Sequence, residues 1–440
     1  MTWTYDPELL ATSVPRYTSY PTAAEFTPAV NRADFEGALA RIAPDEPISL
    51  YLHIPYCHEI CWYCGCNTGA ANRGHRLAAY LEALKAEIDL VAQRLGGRGR
   101  IARIAFGGGS PNAITAGQFD GLLGLVRWMF DAAEAPVSIE LDPRSLDERW
   151  LAMVAGAGVE RASLGVQTLD PEIQAAIGRV QPAPLIARSV AALRKAGVSS
   201  LNFDLMYGLP GQELEQLEAT LAETVRMGPE RIALFGYAHV PHLIARQRRI
   251  DASALPDARQ RFAQAELGHQ LLTAAGYLPV GFDHYALPGD PLANAVQESR
   301  LRRNFQGFTD DQAEVLIGLG ASAISQFPGL LAQNEKNAGR YRMQVAAGLL
   351  PVERGISREG SDRRRGKVIE ALLCQGSARV TGLLDVQLRD RLAPFLALGL
   401  VRLEGDWLHL EEGSQPYARV IASLFDAHRQ PDSRRFSSAI

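Results

Sequence analysis

The stretch from Tyr51 to Cys66 reads YLHIPYCHEICWYCGC and passes without a break from an apolar, β-rich run into a loop holding four of the chain's five cysteines. That run, ISLYLHI from residue 48, opens a series: RIAFGG, VSIELD, RASLGV, LNFDLMYG, RIALFGYA and YLPVGF follow at similar spacing. Helix-period stretches such as HRLAAYLEALKAEIDLVAQRL lie between most of them, and this βα alternation specifies a parallel sheet. The strands are apolar on both faces, as they must be when helices cover one side and side chains or a ligand fill the other. The succession of such units predicts an α/β fold in the form of a partial (β/α) barrel. In such folds the chemistry sits at the C-terminal ends of the strands, where the cysteines fall.

The flanks read differently. From residue 351 to 440 the helical run DRRRGKVIEALLCQG, further helical stretches and the alternation VRLEGDWLHL with a turn at EGD predict a small α+β unit of winged-helix type. Arg363 to Arg365 with Lys367 form a short basic run in a charge-balanced segment, read as a solvated helix face. Residues 1–47, with VPRYTSYPTAAEF, predict an extended arm, leaving 48–350 as the catalytic domain.

Composition excludes several classes of function. The 440 residues are 47% hydrophobic and 21% charged, enough for sizeable cores, and the net charge of -4 gives no general affinity for nucleic acid or a membrane surface. No apolar run is long enough to span a bilayer, and MTWTYDPELLATSVPR lacks the charged and apolar regions of a signal peptide. A cytoplasmic protein is expected. An odd number of cysteines gathered at one place is not a disulfide framework, and Cys374, within VIEALLCQG, reads as a core thiol.

Cys57, Cys61, Cys64 and Cys66 have the spacing C-x3-C-x2-C-x-C. Structural zinc usually takes two separated pairs, so this spacing suits a finger or ribbon poorly; three thiolates in one short loop suit three corners of an iron–sulfur cube with one iron left open. The C-x3-C-x2-C triplet straight after a first strand, with an aromatic residue, Tyr63, before its last cysteine, resembles the radical S-adenosylmethionine superfamily. That resemblance implies a cluster whose open iron chelates S-adenosylmethionine and whose electron splits it to methionine and a 5'-deoxyadenosyl radical. FGGGSP after the second strand, and Glu140, Gln167, Arg179 and Asp204 at or beyond later strand ends, supply glycine backbone, a guanidinium and acceptors suited to that ligand. Taken singly, each reads equally well as a cap or loop satisfier.

Longer stretches are more specific. RYTSYPTA, HIPYCHEICWYCGCN, GVQ, DLMYGLPGQ, YAHVP, DHYALPGD and RNFQGFT together resemble the oxygen-independent coproporphyrinogen III oxidase family from about residue 15 to beyond 330. The resemblance implies oxidative decarboxylation of two propionates of coproporphyrinogen III to vinyl groups, a 4Fe-4S cluster on Cys57, Cys61 and Cys64, and two molecules of S-adenosylmethionine. It places Tyr51, Tyr63, Gly65, Gly108, Gly109, Ser110, Glu140, Gln167, Arg179 and Asp204 around the first and Met206, Tyr237, Ala238, Gln306 and Ile324 around the second. Cys66 is implied not to bind the cluster; it reads as a packed loop thiol or a group near the second cofactor. Arg16, Tyr17 and Tyr20 belong to an arm that closes over the substrate, where Arg16 pairs either with a propionate or in a structural ion pair. His53 reads as a structural residue that tunes the cluster. The partners implied are the porphyrinogen and an electron donor such as a flavodoxin or ferredoxin system, acting on a monomer. Phe106, Ser110 and Phe308 stand where the family commonly has Trp, Thr and Tyr, which touches positioning rather than chemistry. Two other readings share the scaffold: a haem chaperone, which typically has Phe where Cys66 stands and lacks the arm, and a radical methyltransferase or cyclopropanase.

Overall fold

The computed structural model describes residues 3–71 and 74–429. Six parallel strands separated by helices form its body: β1 (Pro47–Ile54), β2 (Arg100–Gly108), β3 (Val137–Leu141), β4 (Val159–Gln167), β5 (Ser200–Tyr207) and β6 (Arg231–Gly236). Beyond them come β7 (Leu278–Val280), β8 (His284–Ala286), β9 (Val315–Leu319), β10 (Ile324–Phe327), β11 (Leu330–Asn334) and β12 (Val352–Ser357). The sheet order is β12-β11-β10-β9-β1-β2-β3-β4-β5-β6-β8-β7. β9 pairs parallel with β1, whereas β7 and β8 at one end and β10 to β12 at the other run antiparallel. β6 and β9 do not pair, so the parallel strands make the partial barrel that the βα alternation predicts. The hairpin Arg302–Asn304/Gly307–Thr309 lines the lumen together with β2 to β6.

Helix Gly74–Leu95 shows how sequence positions the site. Its stripe of Leu77, Tyr80, Leu81, Leu84, Ile88, Val91 and Leu95 is buried, as the i, i+3, i+4 spacing requires, and Glu87 lies within that stripe at 1% exposure. The Glu87 carboxylate accepts hydrogen bonds from the Gly320 N–H (2.7 Å), the Tyr341 hydroxyl (2.7 Å) and the Asn334 side-chain amide (2.6 Å). Tyr80, two turns earlier, donates to the His53 carbonyl (2.6 Å) and accepts from the Ala321 N–H (3.1 Å). One helix thereby ties the end of β1, where the cysteine loop starts, to β9 and β11.

In the C-terminal unit, helices Gly360–Gln375, Val386–Ala397 and Ala418–Ser423 accompany a sheet of Ser377–Arg379, Trp407–Leu410 and Val401–Glu404, with EGD at its hairpin turn, a winged-helix-like arrangement. Val352–Ser357, within the segment assigned to that unit from sequence, is the edge strand of the main sheet, and residues 430–440 lie outside the described ones. The N-terminal segment is not extended throughout: Arg32–Ala40 is a helix, started by an Asn31/Asp34 capping box and buried through Phe35, Ala38 and Leu39. Ahead of it the arm runs to the C-terminal unit, where the Tyr17 hydroxyl donates to Asp426 (3.0 Å) and the Tyr20 hydroxyl accepts from the Ala427 N–H (3.0 Å). Cys374 is buried and packs with Leu301 and Phe308. Among the described residues no helix is long and apolar enough to cross a membrane.

Burial pushes the Glu87 carboxyl up to about 7, outweighing its three donors. A carboxyl raised on folding contributes stability below its unfolded value, and that contribution is lost as pH rises through about 7. Glu87→Gln, neutral throughout, should therefore gain on the wild type by roughly 3 kcal/mol between pH 5 and 8. Thermal unfolding of both proteins across that range checks it, and a pH-independent difference would contradict it.

Candidate active site

The cysteine loop leaves β1 after Pro55 and is held by backbone from three sides. Gly109 and Ser110 donate to the carbonyls of Ile54 (2.9 Å) and Tyr56 (2.8 Å), Gly69 and Ala71 close it from behind onto Pro55 (2.8 Å) and Cys57 (2.9 Å), and Trp62 donates to Ile177 (3.1 Å). The glycine turn after β2 is shaped by its neighbours. A side chain on Gly107 would strike the Glu140 carboxylate at 2.7 Å, and one on Gly108, at φ +119°, would strike the His53 ring at 2.7 Å.

These elements enclose a cavity of ≈ 200 Å³. All four loop cysteines, Tyr63, Gly108, Gly109, Glu140, Gln167, Arg179 and Asp204 line it, so the structure brings together eleven of the residues singled out in the sequence. Gln167 is turned in by a left-handed backbone (φ +66°) where β4 slips register against β5, as an irregularity beside a site does. The Arg179 guanidinium is 6% exposed; it donates to the Gly165 carbonyl (2.7 Å), faces Asp142 at 3.4 Å and lies 3.4 Å from the Cys61 sulfur. Asp204 accepts from Ser163 and Asn202 (2.8 Å each). Burial is the largest effect on both cavity carboxyls: it raises Asp204, and with repulsion from Asp204 it pushes Glu140 up to about 7, against the pull of the Gly108 N–H. Burial and the neighbouring sulfurs push the Cys57 thiol up to about 12, whereas hydrogen bonds from Cys66 bring Cys64 down to about 6.

Other predicted residues stand around this cavity. Tyr51 is buried behind it, its hydroxyl 3.0 Å from His53 Nδ1 and its ring edge-on to Phe305 at 4.7 Å. Burial lowers His53 to about 4, leaving a neutral imidazole. The Ser110 hydroxyl is turned to Asn112 (2.5 Å), which in turn binds the Asp142 backbone, so it braces the loop. Gly65 is exposed beside Ile244. Met206 and Tyr237 belong to an apolar cluster with Trp62 and Tyr63, and the Ala238 carbonyl accepts from Gln247 (3.1 Å). Ile324 opens β10, and Gln306 lines a second cavity of ≈ 360 Å³, the lumen, which shares Glu140, Ser163 and Asp204 with the first. Arg16 stands at the other flank, its guanidinium 4.9 Å over the ring of the lumen residue Phe235, donating to the Gly236 carbonyl (3.2 Å) and 4.0 Å from Asp283.

Asp142, Arg144 and the lumen clamp escaped the sequence reading. Asp142 binds Arg144 (2.7 Å) and Arg179, and Arg144 reaches the Cys61 sulfur at 3.6 Å. Asp142 lies two residues beyond Glu140 in IELDP, a period-two partner at the strand's end that was there to be noticed. Behind the lumen residues Arg103 and Arg161, Asp310 receives paired hydrogen bonds from both, at 3.0 and 3.1 Å and at 2.7 and 3.0 Å, pinning the hairpin that carries Gln306.

The donor set, thiols from a single loop beside a buried guanidinium, fits a cluster held by three thiolates with a ligand alongside. Among the described residues no three His, Cys, Asp or Glu side chains converge as a single-ion site requires. A thiol triplet after β1 of a partial barrel, facing a buried guanidinium and the carboxyls of Glu140 and Asp204, has the donor set of the radical S-adenosylmethionine class, and the family model described as Radical SAM superfamily matches residues 51–223. An oxygen-independent coproporphyrinogen III oxidase of Bradyrhizobium diazoefficiens is 40% identical over 97% of both chains, and that of Escherichia coli is 36% identical over 97% of this chain and 96% of its own. The solved structure of the Escherichia coli coproporphyrinogen III oxidase, described as a radical SAM enzyme, superposes with a TM-score of 0.91 at 34% identity, covering 98% of this chain and 100% of that one. The chain belongs to the oxygen-independent coproporphyrinogen III oxidase family.

Asp310→Ala would leave two largely buried guanidiniums without their shared carboxylate. The expected result is a loss of about 3 kcal/mol in stability and faster amide exchange across residues 302–309. Unchanged exchange there would show that the hairpin is held by other contacts.

Proposed function

We propose that this chain oxidatively decarboxylates two propionates of coproporphyrinogen III to vinyl groups without oxygen, giving protoporphyrinogen IX. One conjunction carries this reading: near-full-length similarity to oxidases of that name, and a cavity whose donor set suits the cofactors the reaction needs. The cofactors are a 4Fe-4S cluster and two molecules of S-adenosylmethionine. Bound together, they supply a carbon radical able to take hydrogen from an unactivated propionate carbon, chemistry no side chain can offer.

The chain's own residues bind and orient. Cys57, Cys61 and Cys64 hold the cluster, with Arg144 and Arg179 beside the Cys61 sulfur to favour its anionic form. Arg179 matches a carboxylate, and the Gly108–Gly109 backbone admits a small polar head group. Glu140, whose charge is held back by burial and by Asp204, gains that charge when a cationic ligand enters. Asp204, Gln167, Tyr51, Tyr63, Gly65 and Ser110 complete or brace the first ligand's surroundings. Met206, Tyr237, Ala238, Gln306 and Ile324 serve the second, with Cys66 between. Residues 1–47 act as the arm, 48–350 as the catalytic domain and 351–440 as the C-terminal unit. The 40%-exposed Arg16 side chain at the lumen's edge takes a substrate propionate. We place the enzyme in the cytoplasm, where free thiols persist, as a monomer fed by a flavodoxin- or ferredoxin-type donor and without nucleic-acid or membrane partners.

The test is an anaerobic assay of reconstituted protein with S-adenosylmethionine, dithionite and coproporphyrinogen III. Protoporphyrinogen IX and 5'-deoxyadenosine should appear together; deoxyadenosine alone would indicate another radical substrate, and tight haem binding without either product would indicate a haem chaperone. Cys57→Ser, Cys61→Ser and Cys64→Ser should each lose bound iron and sulfide, whereas Cys66→Ser should keep both and lose turnover at least tenfold. Loss of the cluster in Cys66→Ser would overturn the ligand assignment.

A further inference from the structure

The segment VPHLIARQRRI, residues 240–250, lies directly on the outside of the cysteine loop. Arg246 donates to Thr68 Oγ1 (2.9 Å) and to the Cys66 carbonyl (3.2 Å), and Gln247 donates to the Tyr63 carbonyl (2.9 Å). The Arg249 guanidinium sits 4.3 Å over the ring of Trp62, the neighbour of Cys61. Gly178 also lies against that ring, where any side chain would strike Trp62 at 2.6 Å. Val180, 61% exposed, follows Arg179, which touches the Cys61 sulfur, and Leu243 is likewise 61% exposed. The segment on the cysteine loop thus carries three arginines and exposed Leu243, and the residue after Arg179 is exposed Val180.

The segment carries an excess of positive charge. Residues 240–250 contain no Asp or Glu, and Arg246, Arg248 and Arg249 form no ion pair among the described residues. Two carboxylates lie beside it, exposed Asp251, which accepts from Ser253 (2.6 Å), and Glu59 of the cysteine loop, which pairs with Arg144 (2.8 Å), so the three arginines of the segment outnumber the free negative charge next to them. On a chain whose net charge is -4, a local basic surface steers an acidic protein that the molecule at large repels. Small basic surfaces with a few apolar contacts suit brief, salt-sensitive redox encounters. Electron transfer falls steeply with distance, so a docking surface separated from Cys61 and Cys66 by a single side chain or backbone contact has a direct functional advantage.

We propose that Val180, Leu243, Arg246, Arg248 and Arg249 form the docking surface for an acidic, flavin-bearing one-electron carrier that reduces the cluster. The inference rests on the presence of the cluster assigned above. In the step, the carrier's anionic flavin hydroquinone gives up one electron and becomes the neutral semiquinone, the cluster gains that electron, and no atom is transferred.

The experiment is anaerobic stopped-flow mixing of the reconstituted protein with flavodoxin hydroquinone, following the cluster's visible absorbance with no porphyrinogen present. Arg248→Glu should slow reduction by flavodoxin about tenfold at low salt. Added salt should slow the wild type towards the variant, Leu243→Asp should slow reduction with little change in salt dependence, and reduction by dithionite should be the same in all three. Arg389→Glu, a reversal in the C-terminal unit, should match the wild type. Fluorescence anisotropy of oxidised flavodoxin with cluster-free protein gives a readout independent of iron, and Arg248→Glu should weaken that binding as well. The proposal is overturned if flavodoxin reduces the wild type no faster than Arg248→Glu, if Arg389→Glu slows it equally, or if dithionite reduction falls in parallel. Because no porphyrinogen is used, failure of the docking surface leaves the decarboxylation assay untouched.

Discussion

The site depends on the hold that backbone hydrogen bonds keep on the loop from Pro55 to Ala71. Its cysteines are useful only if one short, polar, irregular segment is fixed against the barrel's mouth, and such a segment has no helix or ladder of its own to fix it. The structure supplies the missing partners from elsewhere: the glycine turn after β2 from one side, Ile177 from another, and the loop's own return at Gly69 and Ala71 from behind. Helix Gly74–Leu95 completes the hold through the Tyr80 hydroxyl on the His53 carbonyl. Packing, in this sense, comes before chemistry.

The second constraint is charge under cover. The cavity and the edge of the lumen place Asp142 and Asp310 against Arg103, Arg144, Arg161 and Arg179, and Glu140 opposite Asp204. The pairs divide by partner. Asp310 and Asp142 face two guanidiniums each and are held below the ordinary carboxylate range; Glu140 and Asp204 face each other and are raised. The first pair is spent on architecture, while the second retains capacity for a cationic guest.

Much of this could be read from sequence because the strands β1 to β6 are short apolar runs with helices between them, and because the polar residues at their ends interrupt those runs conspicuously. Glu140 and Asp204 stood out for that reason. The half-sheet from β9 to β12 was harder to see: VLIGL is a continuous apolar run without alternation, and its partner β1 lies more than two hundred and fifty positions earlier, a separation that periodicity does not carry. Asp310 is a single acidic residue in a polar loop, and nothing local distinguishes it from a solvated one; its two arginines come from β2 and β4. The helix at Arg32–Ala40 was masked by the Tyr-, Thr- and Pro-rich segment before it, although Asn31 and Asp34 have the spacing of a capping box.

The position of β1 in the sheet bears on how the protein is made. It is the first strand synthesised and among the most central, with β2 on one edge and β9 on the other. β2 follows within about fifty residues, but the other edge has no partner until the ribosome has reached Leu319. Throughout that interval a strand of nearly unbroken apolar character carries an unpaired ladder, with reactive thiols just beyond its end. A nascent chain in this state needs shelter for its edge and a reducing milieu for its sulfur, and the natural moment for loading iron comes only after β9 has docked and the loop has its final walls.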